Sequence, residues 1–460
     1  MLRMKTVVVY AAMIAATIAG FFAVRSLGSS LSAPAASEAR FGKAIPAASS
    51  EVLLHVLLAL VVVIIVARLL GALFRRLNQP AVIGEVIAGV LLGPSLLGRV
   101  APGLSAYLLP PAVAPFLGVI SQVGVILYMF LIGLELDTTT LRQRAHASVA
   151  ISHASIIAPF VLGAALSLWL YPRLSSSDVP FSVFALFIGI SMSVTAFPVL
   201  ARILTDRNMH KSRLGTIALA CAAVDDVSAW CLLAFVVSVA RSEPQRVLST
   251  LALTAAFIAA MFLLVRPAAA WFVRRRRAAP QSSMAVIFIA LLLAALLTEY
   301  IGIHAIFGAF LLGAVIPHDS ELARDITRKL EDVVIVLLLP AFFAFTGMRT
   351  QIGLVSGVAE WLTCGLIIVV ASLGKFGGST LAARATGLDW RQAASLGILM
   401  NTRGLMELIV LNVGLDLGVL SPTLFAMLVV MAVVTTLATS PILHALTAND
   451  PASVVNGKVA

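Results

Sequence analysis

Hydrophobic residues in this chain run in long unbroken blocks, separated by short polar segments that are rich in arginine. A helix needs about 20 mostly apolar residues to cross the hydrocarbon core of a bilayer, and fewer where it is broken inside protein. On that measure the sequence predicts spans near 5–25, 52–71, 81–98, 114–136, 149–170, 181–203, 213–240, 248–272, 283–298, 301–317, 330–347, 360–385, 390–413 and 421–446. They number about fourteen and describe an all-α polytopic membrane protein.

Composition narrows the class further. Of the 460 residues 60% are hydrophobic and only 12% charged, against about 25% charged in soluble domains. These figures exclude an ordinary globular enzyme, a disordered scaffold and a nucleic-acid binder. Motifs for a P-loop, a GxSxG nucleophile or an HExxH metal site give nothing usable, so no enzyme and no cofactor is expected. Cys221, Cys231 and Cys364 form neither a disulfide framework nor a spaced zinc set.

The net charge of +11 is read through topology. With residue 1 inside, 21 of the 32 basic residues fall in inner loops, among them Arg75, Arg76, Arg207 and the run Arg274 to Arg277. Eight lie outside, and Arg266, Lys375 and Arg403 lie at membrane depth. This asymmetry follows the positive-inside rule and places the C-terminus in the cytoplasm. Membrane lipid is then the only partner that the excess charge requires.

The first segment, 1–28, joins a basic start to an apolar stretch, with Ala33-Pro34-Ala35 beyond it resembling a cleavage site. It is either a signal peptide or a retained anchor helix; both leave the same topology. Residues 29–50 read as an outside linker, 51–446 as the transmembrane domain and 447–460 as a short cytoplasmic tail.

Charge at bilayer depth is costly and marks function by default. The spans hold Glu85, Asp225, Asp226, Lys375, Arg403 and Glu407. Asp225 and Asp226 sit mid-span, and adjacent helix positions differ in direction by about 100°. One carboxylate can therefore face an ion pathway while the other meets a partner. Neighbouring carboxylates raise each other's proton affinity, as burial does, so such a site can exchange a proton for a small cation. A plain structural pair with Lys375 is the alternative. Lys375 is flanked by Gly374, Gly377 and Gly378, which permit close helix approach, and it can serve as counter-ion or proton carrier.

Two spans carry polar interruptions. One holds Ser191, Ser193, Thr195 and Pro198; the other holds Asn401, Thr402, Arg403 and Gly404. Both read as discontinuous helices, whose free carbonyls and dipole ends are tolerated only around a cavity or inside protein. Arg403 and Glu407 can neutralise those dipoles, and Thr195 can offer a cation an oxygen alongside Asp225 and Asp226. The first broken span precedes the Asp-Asp span directly, the second follows the Lys375 span, and the two run in opposite directions. That order is expected of an inverted-repeat secondary transporter. Glu85, near the start of its span, reads as a core ion-pair member, His304 as structural, and Glu135 and Asp137 as shaping the inner mouth.

Six segments, AVIGEVIAGVLLGPSLLG, LYMFLIGLELD, SVTAFPVLARIL, AAVDDVSAW, LGKFGG and MNTRGLMELIVLNVGLD, occur in this order. Together they closely resemble the monovalent cation:proton antiporter-2 family over about residues 52–446, and are similar to plant cation/proton exchangers and bacterial sodium/proton antiporters. The resemblance implies a thirteen-helix antiporter core with two crossed discontinuous helices, a mobile ion-binding domain and a dimerisation domain, hence a homodimer. It places the essential carboxylate on Asp226, its neighbour on Asp225 and that neighbour's lysine partner on Lys375. Many relatives carry Asn-Asp here; the Asp-Asp form implies electrogenic exchange of two protons per cation. The nucleotide-binding domain of potassium-efflux relatives is not recognisable.

The expected function is exchange of Na+ or K+ for protons by alternating access across a bacterial inner membrane. A channel-like efflux protein and a non-transporting sensor that needs a partner chain are the alternatives.

Overall fold

In a medium that offers no hydrogen bonds, apolar segments satisfy their backbone internally as helices. A computed structural model describes residues 2–29, 31, 50–135, 145–207, 209, 212–241, 247–275 and 281–447, and these are helical with no strand among them. The linker expected at 29–50, the tail after Thr447 and Asp137 fall almost wholly outside the described residues.

In chain order the helices are α1 (Leu2–Gly28), α2 (Ser50–Arg76), α3 (Ala81–Leu92), α4 (Ala114–Glu135), α5 (Ala145–Leu174), α6 (Phe181–Ser191), α7 (Phe197–Asp206) and α8 (Arg213–Arg241). There follow α9 (247–275), α10 (Gln281–Ile301), α11 (Ala305–Val315), α12 (321–349), α13 (Val358–Ala385), α14 (Trp390–Met400), α15 (Leu405–Asp416) and α16 (Pro422–Thr447). Ten helices are long and apolar enough to span a membrane among the described residues, or eleven if α14 and α15, bent by 44°, form one span. The protein is a multi-pass integral membrane protein.

Two elements depart from the hydropathy reading. The span expected at 301–317 is shortened to α11, because Gly302 (φ +97°) and His304 (φ +79°) turn the chain between Ile301 and Ala305. His304 caps that helix, its Nδ1 accepting from the Ile306 amide. The span expected at 330–347 starts a full nine residues earlier, at Glu321. Ser320 caps it through the Ala323 amide, and Asp325 pairs with Lys329 at 2.6 Å, a spacing that supports a polar helix which an apolar scan passes over.

Packing sorts the helices into two groups. One contains α2, α3, α4, α10, α11 and α12, with α9 at its edge; the other contains α5 to α8 and α13 to α16. Helix α1 lies against α5 and α6 of the second group, with Val24 buried and Phe21 beside Phe160 (6.2 Å between ring centroids). Contacts between the groups are sparser. Arg349 on α12 pairs with Asp416 at the end of α15 (2.6 Å) and donates to Asn412 (3.1 Å). At the arginine-rich face, Gln79 before α3 donates to the Leu437 carbonyl of α16 (3.3 Å).

Within the first group α3 and α12 meet backbone to backbone. A Cβ on Gly347 would stand 1.9 Å from the carbonyl carbon of Gly89. Packed interiors tolerate little added volume, so Gly347→Leu is expected to abolish a monodisperse peak on size-exclusion chromatography in detergent, whereas a substitution at Gly377, with nothing within 4 Å of its Cβ position, leaves it intact.

Candidate functional site

Asp225 and Asp226 stand mid-way along α8, and the 100° turn between successive positions sends their carboxylates into different surroundings. Asp225 points into the second helix group. Its Oδ1 accepts from Ser152 Oγ (2.5 Å). Its Oδ2 accepts from Ser155 Oγ (2.7 Å), Thr195 Oγ1 (2.7 Å) and Lys375 Nζ (2.8 Å). Both members of the Asp225–Lys375 pair are fully buried.

The local shape of α13 brings Lys375 there. Residues Leu373–Gly377 form a π-helical turn, a feature frequent at functional sites. A Cβ on Gly374 would lie 2.6 Å from Pro159 Cα, and one on Gly378 2.7 Å from Ala158 Cβ, so α13 sits directly on α5. Gly377, expected to help, faces open space instead. The ammonium also donates to the carbonyls of Ser155 (3.0 Å) and Ser193 (2.5 Å).

Ser193 belongs to the break between α6 and α7, whose carbonyls have no helical partner. Arg403, in the break between α14 and α15, takes up the others. Its Nη1 donates to Ser191 O (2.8 Å) and Val194 O (3.3 Å), and its Nη2 to Met192 O (2.6 Å). Two buried cations thus serve four carbonyls of one break. The breaks touch directly, with the Ala196 amide donating to the Thr402 carbonyl at 2.9 Å. Thr436 on α16 holds the second break, accepting from the Arg403 amide (2.9 Å) and donating to the Arg403 carbonyl (2.8 Å). Pro198 lies beyond the first break, in the opening turn of α7, where its missing N–H costs nothing. Thr402 Oγ1 donates to Leu399 O (2.6 Å), and Asn401 Nδ2 reaches Ser372 Oγ (3.5 Å).

Arg403 also pairs with Glu407 at 2.9 Å, both fully buried. Removing one partner of such a pair strands a charge and costs about 3–5 kcal/mol. Arg403→Ala is therefore expected to lower the melting temperature sharply, and adding Glu407→Gln to recover part of the loss, both read by thermal denaturation in detergent.

Asp226 differs from every other charge in the cluster. It is 2% exposed, and neither carboxylate oxygen has a hydrogen-bond partner. The Phe197 amide at the start of α7 faces it without closing a bond of normal geometry. Its side lies toward the first helix group. Tyr128 of α4 is within reach of its charge, and Trp230, one turn along, stacks on Phe310 of α11 at 6.4 Å. Asp226 thus borders the seam between the two groups.

The charges nearly balance. Asp225, Asp226 and Glu407 stand against Lys375 and Arg403, leaving one negative charge, and Asp226 is the carboxylate without a partner. Of the three cation ligands expected, Asp225 and Thr195 are engaged with one another, and only Asp226 offers unpaired oxygens. No group of three or more His, Cys, Asp or Glu able to hold a metal ion occurs among the described residues. Glu85 lies apart from the cluster, where α3 meets Gly71 of α2, within the electrostatic reach of Arg68, Arg75 and Arg202. It has no ion pair within 4 Å among the described residues. Sequence reading passed over Ser152, Ser155 and Thr436; three-residue spacing of two serines in an apolar span was the available signal for the first two.

Residues 56–447 match the family model described as sodium/hydrogen exchanger, transmembrane. The chain is 46% identical over 398 residues to the Na(+)/H(+) antiporter NhaS4 of Synechocystis sp., covering 85% of this chain and 97% of that protein. It is 37% identical to Cation/H(+) antiporter 20 of Arabidopsis thaliana over 84% of this chain and 47% of the relative. It is 33% identical to K(+)/H(+) antiporter 1 of Saccharomyces cerevisiae over 83% of this chain and 45% of the relative. The chain spans about half the length of these two relatives. Its fold is similar to that of the sodium proton antiporter MjNhaP1 from Methanocaldococcus jannaschii, with a TM-score of 0.63 at 15% identity over 86% of this chain and 97% of that one. With the family model spanning nearly all of the described helices, this chain belongs to the transmembrane sodium/hydrogen exchanger family.

Proposed function

We propose that the protein exchanges Na+ or K+ for protons across a bacterial plasma membrane by alternating access, with Asp226 as the carboxylate that both ions share. The observation that carries this reading is the unpaired, buried Asp226 in a cluster of net charge minus one. A buried carboxylate without a partner is costly. One proton or one monovalent cation relieves that cost, and each excludes the other. Mutual exclusion at a single carboxylate, combined with access from alternate sides, is exchange. The relatives named above are antiporters, which favours this reading over a channel-like protein or a sensor.

Asp225 and Lys375 supply the second coupled proton. When the site is empty they pair; as the cation arrives, Asp225 turns toward it and Lys375 releases its proton. The hydroxyls around Asp225 tolerate this change. Ser155 Oγ also lies 2.9 Å from the Ser152 carbonyl, and Thr195 Oγ1 lies 3.1 Å from the Met400 carbonyl, so each can turn its single proton to a carbonyl. Two protons against one cation makes turnover electrogenic, and an imposed membrane potential, negative on the side from which the cation leaves, should raise the exchange rate in that direction. A rate indifferent to potential contradicts the two-proton scheme.

In architecture the proposal is a thirteen-helix core, 51–446, in which α6–α7 and α14–α15 are crossed discontinuous spans of an inverted repeat. The group from α5 to α8 and α13 to α16 moves as the ion-binding domain. The group containing α2 and α10 forms the dimerisation domain of a homodimer, and α1 is a retained anchor that travels with α5. The C-terminus is cytoplasmic. A cation-by-cation exchange assay in proteoliposomes across pH tests the function and selects among Na+, K+ and Li+; collapse of a preformed pH gradient by none of them overturns it.

A further inference from the structure

The arginine-rich face carries a cavity of about 590 Å³ whose lining does not include Asp226. Its charged and titratable lining among the described residues consists of Arg75, Arg207 and His444, with Asn78, Gln79 and Ser440 among its polar groups and no acidic residue among them. The cavity is built from both helix groups. Arg75 closes the last turn of α2 and Asn78 (φ +55°) makes the tight turn into α3, while Arg207 follows α7 and His444 ends α16.

Its wall is already satisfied from within. Pro441 inside α16 cannot donate to Leu437 O; Gln79 donates to it instead (3.3 Å). Arg207 Nη2 donates to the Ser440 carbonyl at 2.8 Å, which leaves the rest of its guanidinium fork unbonded among the described residues. The side chains of Arg75 and His444 are exposed and make no hydrogen bond or ion pair among the described residues. Glu85, which feels the charge of Arg75, does not line the cavity. Planar guanidinium forks match phosphate geometry, and a roomy recess with cations on both sides of a seam suits an oxyanion that touches both.

We propose that this cavity binds a phosphate-bearing anion which, by bridging Arg75 of one helix group to Arg207 and His444 of the other, holds the groups together and slows exchange. The proposal rests on the alternating-access reading for its effect, though not for the binding itself. The phosphate can belong to a lipid headgroup or to a free anion, and the test separates these.

Binding is measured by calorimetry with pyrophosphate on the full chain in detergent, and exchange is measured in proteoliposomes with pyrophosphate on the arginine-rich side at constant ionic strength. Wild type is expected to bind and to slow. Arg75→Gln, an exposed change that leaves the fold intact, should weaken both effects about fivefold, the usual contribution of one cation near a phosphate surface; Arg207→Gln should do the same. If pyrophosphate has no effect while phosphatidylglycerol vesicles slow wild type, relative to phosphatidylcholine vesicles, more than they slow Arg75→Gln, the source is a headgroup and the proposal stands. The absence of both effects overturns the proposal, and binding that leaves exchange unchanged overturns the bridging role. Failure of exchange under every condition counts against the antiporter reading, and calorimetry still decides the cavity.

Discussion

Asp226→Asn is expected to reduce cation-driven collapse of a pH gradient in proteoliposomes to the level of protein-free vesicles, with the protein still folded. The variant brings the cluster to electrical neutrality, since the remaining Asp225 and Glu407 are matched by Lys375 and Arg403. Neither a cation nor an exchangeable proton is then held. Because the oxygens of Asp226 have no partner, the amide breaks no hydrogen bond and removes an uncompensated buried charge. The melting temperature should hold or rise, which separates lost chemistry from lost structure. An Asp226→Asn protein that exchanges at the wild-type rate would sink the assignment.

The second large effect concerns Lys375, and here structure and function are lost together. Lys375→Ala strands Asp225 and also leaves the carbonyls of Ser155 and Ser193 without their donor. The expected cost is about 3–5 kcal/mol, enough to prevent recovery of folded protein by size-exclusion in detergent. Asp225→Asn with Lys375→Gln removes both charges at once, and most of the stability should return. This double variant leaves Asp226 in place, so residual exchange is expected. Its rate should no longer respond to an imposed membrane potential, because the second coupled proton has gone. A double variant as unstable as Lys375→Ala would show that the pair itself is not what the fold needs.

Much of this was legible in the residues. Charges in apolar spans are conspicuous because they are expensive there, and Asp225, Asp226, Lys375, Arg403 and Glu407 all reappear in one cluster at the two touching breaks. Both interruptions were visible as polar residues in apolar runs, and the first break, at residues 192–196, falls on Ser193 and Thr195 ahead of Pro198. Which carboxylate is paired was implied only by the family resemblance, which put Lys375 with Asp225; nothing in the two residues themselves decides it. Asp225 and Asp226 are chemically identical, and the rotation of α8 about its axis, set by packing against α5 and α6, decides that one meets four donors and the other none. Ser152 and Ser155 escaped notice for a related reason, since small hydroxyls are ordinary in membrane helices until a carboxylate is known to face them. The early start of α12 was hidden by its own charges, because the pair Asp325–Lys329 that supports it lowers its hydropathy.

Polar contacts at opposite faces join the two helix groups. On one side Arg349 ties α12 to Asp416 and Asn412 of α15; on the other Gln79 ties the α2–α3 turn to α16. Sparse polar contacts of this kind can break and reform at modest cost, unlike the glycine-tight packing of α3 on α12 or α13 on α5. The groups are accordingly tightly packed within and sparsely joined between.

In the proposed mechanism a proton and a cation compete for Asp226. The most direct measurement is the apparent KM for the transported cation as a function of pH, in proteoliposomes under saturating exchange. Competition requires KM to rise as pH falls while the rate at saturating cation is retained; a KM that does not move with pH would contradict it.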